Sequence, residues 1–439
     1  MKTRAIKTVI VAVWLLFGAW FIRYEAFPAF FTNTLEGYKD LFSHGELFVD
    51  SWMKILYNDK PIGYTETQIE VIDDDPLEHF RITSRTSLKM NLMGEMQDVN
   101  IVSLGGLDVL YHLQRFTFAL SSRRYGLRIE GTRKRGNMFS VRVRSDAGVQ
   151  KMSIEIPDDV VMYSPATEMA MGRLKPGETM HVKSLDPTTM AIEDIVVKAL
   201  RRESRDVMGV PTDTTVLGVS FHGAELLSWV DANGKVVRQE TPFGWIMEAC
   251  TAEEAVAIRV DASKAEDMLG GMAVGVRGAH GDLRGAESLR IRLIGITPER
   301  HLLSSNRQAI ETTESNSVVL ALSAARWPAA GPALELSPRD RKAFLASTTF
   351  VQADDPGIRE RAQEITKGLT NDVDKARAIY EWVFRKVDKR PTVSLPSAVD
   401  VLQNLEGDCN EHTYLFTALA RASGIPAQMR IGLFYKDGS

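Results

Sequence analysis

The chain has 439 residues, 44% hydrophobic and 25% charged, with a formal net charge of −4. This is ordinary globular material, long enough for two or three domains with their own cores, and it excludes a disordered chain. So small a net charge gives no global pull toward nucleic acid, and two cysteines are too few for a disulfide framework, although a single Cys250–Cys409 bridge stays open.

At the N terminus, Lys2, Arg4 and Lys7 precede an uncharged run from Thr8 to Ile22, and Arg23 follows it. Basic flank and apolar run at this position read as a secretion-type signal. The run falls short of the ~20 residues of a spanning helix. No small-x-small cleavage site follows it, however, so residues 1–30 are expected to be an uncleaved signal anchor. The basic flank orients the N terminus inward. A single-pass protein of a bacterial inner membrane is expected, its N terminus cytoplasmic and its bulk periplasmic.

Residues 45–260 alternate with period two, as in FSVRVRS (Phe139, Val141 and Val143 on one face) and KMSIEI (Met152, Ile154, Ile156). This predicts a large antiparallel β domain with one wet face. Turn signals separate its strands at YNDKPIG (57–63), TRKRGN (132–137) and DANGK (231–235). One helical interruption is expected at 192–203, where Ile192, Ile195, Val196 and Leu200 share a helical face. The basic stretches RRYGLR, TRKRG and RRESR interleave with apolar residues at strand period, so they predict a solvated sheet face and no nucleic acid; anionic lipid headgroups are the lesser alternative. The Asp73-Asp74-Asp75-Pro76 run reads as a solvated turn, since it lacks the spaced acids of a calcium loop.

A connecting region follows, 261–335, Gly-rich at 269–285 and Pro-rich toward its end, with one strand at ESLRIRLIGI. Its His280 has no cluster of ligating residues around it, and neither a metal nor a cofactor is expected.

The last domain, 336–439, is helical in pattern. Ile358, Ala362, Ile365 and Leu369 mark one helix; Val373, Ala376, Tyr380, Val383 and Val387 mark the core stripe of a second, with Trp382 packing beside it. A third, SAVDVLQNL, ends at Gly407. Asp408 followed by Glu411 resembles a capping box, which makes Cys409 the first residue of a fourth helix that Gly424 and Pro426 close. A thiol there faces unpaired amides and the positive end of the helix dipole, and its pKa is expected to fall. The opposing reading is an inert buried cysteine. Asn410 and Glu411 read as hydrogen-bonding helix-start residues.

The stretch GDCNEHTYLFTALARASGIPA, with SAVDVLQNLE before it and QMRIGLFY after it, resembles the core of bacterial transglutaminase-like proteins. The resemblance implies a papain-like α+β fold, with the cysteine helix packed on an antiparallel sheet. It also implies acyl transfer through a thioester, with Cys409 as nucleophile and its own backbone amide as one oxyanion donor. The histidine and aspartate of that family lie on strands after the segment matching QMRIGLFY, and they are expected beyond Ser439. His412 is the weak local candidate for a base. Ala427 to Tyr435 reads as a strand and Asp437-Gly438 as a hairpin turn, so the chain is expected to be a fragment of a longer reading frame, inactive alone.

Two function classes stand. One is a membrane-anchored thiol enzyme acting on amide or peptide bonds of a protein, peptide or cell-wall peptide outside the cytoplasm. The other is a non-catalytic peptide- or envelope-binding protein with a degenerate groove. In a weaker third, the β domain itself binds envelope lipid or glycan.

Overall fold

The computed structural model describes Phe17 and residues 33–42, 49–324 and 335–433, except 93, 124, 147, 163, 165, 166, 169, 170, 222, 223, 243, 263, 264, 269–272, 279–282, 297–303, 306, 315 and 391–396. Of the expected anchor (1–30) only Phe17 is described, and His280 lies outside the described residues. Among those described, no helix is long and apolar enough to cross a membrane. The chain divides into two compact units between Met268 and Leu269.

The first unit is built on one mainly antiparallel sheet. Its strands are β1 (Asn33–Thr34), β2 (Val49–Tyr57), β3 (Lys60–Val71), β4 (Phe80–Leu92), β5 (Glu95–Leu107), β6 (Leu113–Ser122), β7 (Gly126–Arg135) and β8 (Met138–Ser145). They continue through β9 (Gly148–Glu155), β10 (Val160–Val161), β11 (Thr179–Asp186), β12 (Ala191–Val207), β13 (Val210–Phe221), β14 (Ala224–Asp231), β15 (Val236–Glu240) and β16 (Trp245–Cys250). The order runs β1-β11-β12-β13-β14-β15-β16-β2-β3-β4-β5-β6-β7-β8-β9, with β10 on β11. Among its described strands, only the two-residue β1 and β10 pair parallel, both to β11. Local turn chemistry sets the register. Asn58 and Asp59 take positive φ between β2 and β3, and Gly136 does so between β7 and β8, the backbone that two-residue hairpin loops require.

Alternation then sorts the faces. Phe139, Val141 and Val143 of β8 are buried while Ser140, Arg142 and Arg144 are exposed. A short helix, α1 (Tyr38–Phe42), is held by Tyr38, whose buried hydroxyl accepts the Met162 amide at 2.8 Å. Burial pushes that phenol up to about 12.

The helix expected at 192–203 is instead part of β12, pairing with β11 and β13 and burying Ile195, Val197 and Ala199 at period two. Its apolar residues fit both periods, and the ladder bonds offered by two neighbouring strands decide between them. Helix α2 (Ala252–Ala257) follows β16 and is capped by Thr251.

In the second unit, the described residues of the connecting region hold three strands where one was expected. They are β17 (Ser288–Ile294), β18 (Gln308–Glu314) and β19 (Ser317–Ser323), in order β17-β19-β18. The C-terminal part is helical: α3 (Pro338–Leu345), α4 (Pro356–Ile365), α5 (Asp372–Lys386), α6 (Ala398–Asn404) and α7 (Cys409–Ala422). Ser337, Asp355, Asn371 and Ser397 cap α3 to α6, and Pro starts α3 and α4, a position where its missing amide costs nothing.

Leu415, Ala418 and Leu419 of α7 pack on Ile358 and Ala362 of α4, Ile379 and Val383 of α5, and Val401 of α6. The core stripe of α5 is rotated from the expected one. Ile379 and Val383 are buried, whereas Val373 and Tyr380 are exposed and Tyr380 stacks on exposed Phe384. Trp382 packs against the core as expected, with the Arg361 guanidinium over its ring.

The antiparallel sheet expected beside the cysteine helix is not present among the described residues of 336–433. They hold only the two-residue parallel ladder of β20 (Asp388–Lys389) and β21 (Glu406–Gly407). Of the strand expected over 427–435, residues 427–433 have no strand pairing and Ile431 is fully exposed, while the rest of it and the expected turn at 437–438 lie outside the described residues. An apolar alternation makes a strand only where a partner supplies the ladder.

Candidate active site

The start of α7 is built by its own sequence. The Asp408 carboxylate accepts the Asn410 amide at 3.1 Å and also the Glu411 amide, while Glu411 Oε2 accepts the Asp408 amide at 2.8 Å. This reciprocal box satisfies three donors of the first turn. It leaves the Cys409 amide, which donates to no other described residue and lies against its own sulfur. The thiol is exposed at the helix start. Thr413 Oγ1 donates to the Cys409 carbonyl at 2.6 Å, anchoring the residue from below.

Gly407 makes the box possible. Its φ is +151°, and a Cβ there would lie 2.2 Å from Glu411 Cγ. Only glycine takes that backbone without strain and lets Glu411 lie so close. The approach to the site is fixed by the chain leaving α5. The Asp388 amide donates to the Leu405 carbonyl at 2.8 Å, and the Arg390 amide donates to the Gly407 carbonyl at 2.9 Å. At the far end, Gly424 and Ile425 donate to the Arg421 and Ala420 carbonyls, closing α7 with a glycine-based C-cap. Arg421 then clamps the Ala427 and Ala346 carbonyls.

The electrostatics correct one expectation: the Cys409 thiol pKa is raised, not lowered. Although the residue is exposed, neighbouring protein atoms partly desolvate the sulfur, and this is the largest influence. The Asp408 carboxylate adds to it by charge and by hydrogen bond, and Glu411 adds by charge. The Cys409 amide pulls the other way and does not prevail. Burial first, and then the carboxylates that organise the helix start, thus outweigh the one backbone amide that favours thiolate.

His412 sits half-buried one turn from the cap. Its Nδ1 lies 2.7 Å from the Asp408 carbonyl, which can only accept, so Nδ1 carries a proton in this contact. This imidazole is tied to the cap, and only its Nε2 lone pair could take a proton. Cys250 is also a free thiol but is buried in β16, and burial, then Glu254, raises its pKa. Gly407, Thr413 and Arg421 escape a reading of motif spacing, because their roles rest on close approaches that folding creates.

Residues 359–439 match the family model described as the Transglutaminase-like superfamily, so this C-terminal segment is transglutaminase-like. No curated protein matches the chain. Among solved structures, a beta-barrel-like protein of the DUF1849 family from Brucella abortus is similar at 8% identity, over 47% of this chain and 95% of that one, with a TM-score of 0.33. A candidate cysteine protease from Cytophaga hutchinsonii is similar at 19% identity, over 35% of this chain and 57% of that one, with a TM-score of 0.22. A DUF1089 family protein from Pseudomonas aeruginosa is similar at 13% identity, over 40% and 89%, with a TM-score of 0.23. At such scores these likenesses carry no functional conclusion.

Proposed function

We propose that the chain is a membrane-anchored, extracytoplasmic thiol enzyme that cleaves or transfers amide bonds of a protein or peptide through a Cys409 thioester. One observation carries this reading: within a transglutaminase-like segment, the sole exposed described thiol stands at a helix start whose cap uses the neighbouring amides and leaves the Cys409 amide facing only its own sulfur. That amide is the donor an oxyanion would meet as the sulfur attacks a carbonyl. Attack forms the carbon–sulfur bond; the amine leaves with a proton, and water or a second amine resolves the thioester.

Because the thiol pKa is raised, thiolate is scarce at neutral pH, and attack requires a base to take the proton in the same step. The resemblance assigns that work to a histidine oriented by an aspartate. His412 would serve only through Nε2.

The raised pKa also favours the second reading, a groove that binds peptide without chemistry. Mass spectrometry after incubation with a glutamine-containing peptide separates the two. A thioester adduct on Cys409 with ammonia release, absent in Cys409→Ala, is the enzyme outcome. Saturable peptide binding that Cys409→Ala leaves intact, with no adduct, is the binding-module outcome.

A further inference from the structure

We propose that the outer face of β7, β8 and β9 docks on an anionic phospholipid surface; this does not rest on the thiol reading. The large sheet commonly sets opposite charges across from one another, as Glu130 and Arg142 do within this face. Glu66 faces Arg85, Glu70 faces Arg81, Lys89 faces Asp98, Lys183 faces Asp194, and Arg238 faces Glu248. Among the described pairs of this sheet, like charges meet only at Arg128 opposite Arg144 and at Arg142 opposite Lys151. Like charges directly across a ladder repel and cost stability.

These two costly pairs are adjacent rows of one face. Arg128, Arg142, Arg144 and Lys151 are all exposed, and the strand order ends at β9. The one carboxylate in the two rows is Glu130, which lies directly opposite Arg142 and pairs with Arg128 at 2.6 Å. It is held below the usual carboxylate range, first by that bond and then by the charges of Arg128, Arg144 and Arg142; one carboxylate among four cations leaves the rows net positive. Arg142, Arg144 and Lys151 have no carboxylate within ion-pair distance among the described residues. Asp146 lies in the turn beyond.

The chemistry of the face selects the occupant. Neighbouring strands lie ~4.8 Å apart and alternate residues ~7 Å apart, so the cations form a shallow grid that a plane of phosphate headgroups can neutralise. Exposed Val149 lies in the Arg144 row, an apolar neighbour suited to a lipid interface. The remaining outward positions of these rows are Thr117 and Ala119. No aromatic side chain is among them, so the stacking platform of a single-stranded nucleic-acid site is missing.

The test is flotation of the full-length protein with phosphatidylglycerol-containing vesicles and with pure phosphatidylcholine vesicles. A larger fraction should float with the anionic vesicles at low salt, and the increment should vanish near 1 M salt, where charges are screened beyond ~3 Å. The R142S/R144S/K151S variant should lower anionic partitioning on the order of a hundredfold, at about fivefold per charge. The N-terminal run is common to wild type and variant. The variant should melt close to wild type, because it removes two like-charge pairs along with the attraction of Arg142 to Glu130 opposite it. A K54S/K89S/K183S control, which removes paired cations elsewhere, should keep the increment. Should the triple variant lose its folding transition, K151Q on the edge strand reads the same effect at about fivefold. Equal partitioning into both vesicle types, equal loss in the control, or binding transferred to duplex DNA with no vesicle increment would overturn the proposal.

Discussion

Asp408 both starts the helix that carries Cys409 and, second to burial, favours the neutral form of the Cys409 thiol. Its carboxylate accepts the Asn410 and Glu411 amides, and the same negative charge, after partial burial, raises the pKa of the sulfur beside it.

Asp408→Asn should therefore separate the two roles. Asparagine caps helices about as well as aspartate, so stability should change by only a few tenths of a kcal/mol. The thiol pKa should fall once the charge is gone. Iodoacetamide labelling against pH reads this directly, with the variant curve displaced to lower pH. An unchanged curve would mean that burial alone sets the pKa. Cys250 should stay unlabelled until the protein is denatured, because it is buried in β16.

Gly407→Ala should cost about 2–3 kcal/mol, because alanine resists the backbone at φ +151° and its Cβ would strike Glu411. Differential scanning calorimetry measures the loss. A melting point equal to wild type would show that the helix start can rebuild without the box.

Leu415→Ala should remove about 2–5 kcal/mol from the helical unit, since Leu415 is fully buried among α4, α5 and α6. Phe384→Ala, two-thirds exposed on α5, should cost far less. Comparable losses in urea unfolding would contradict the core assigned here.

Glu203 should contribute an acid-sensitive part of β-domain stability. The Trp229 indole N–H is the main cause of its lowered pKa and the Arg201 guanidinium the next. A lowered folded-state pKa contributes stability that is present above the unfolded value near ~4.3 and lost as pH falls through the folded value. Glu203→Gln should flatten the melting-temperature profile below about pH 5. A profile as steep as wild type would assign the acid limb to other carboxylates.

What the sequence by itself determined is local. The cap of α7, the hairpin turns at Asn58-Asp59 and Gly136, and the alternation of β8 each depend on residues a few positions apart, so their signals survive without a partner. The tertiary structure decided what depends on distant neighbours. Residues 192–203 carry apolar groups that suit either period, and ladders to β11 and β13 made them a strand. The stripe of α5 turned toward Ile379 because α4 and α7 pack there, leaving Tyr380 in solvent. Helix position alone argued for an acidic thiol at Cys409. The opposite shift arises first from burial by atoms that folding brings around the sulfur, which no residue spacing records; the Asp408 and Glu411 carboxylates that add to it are sequence neighbours, and only their closeness to the sulfur is set by the fold.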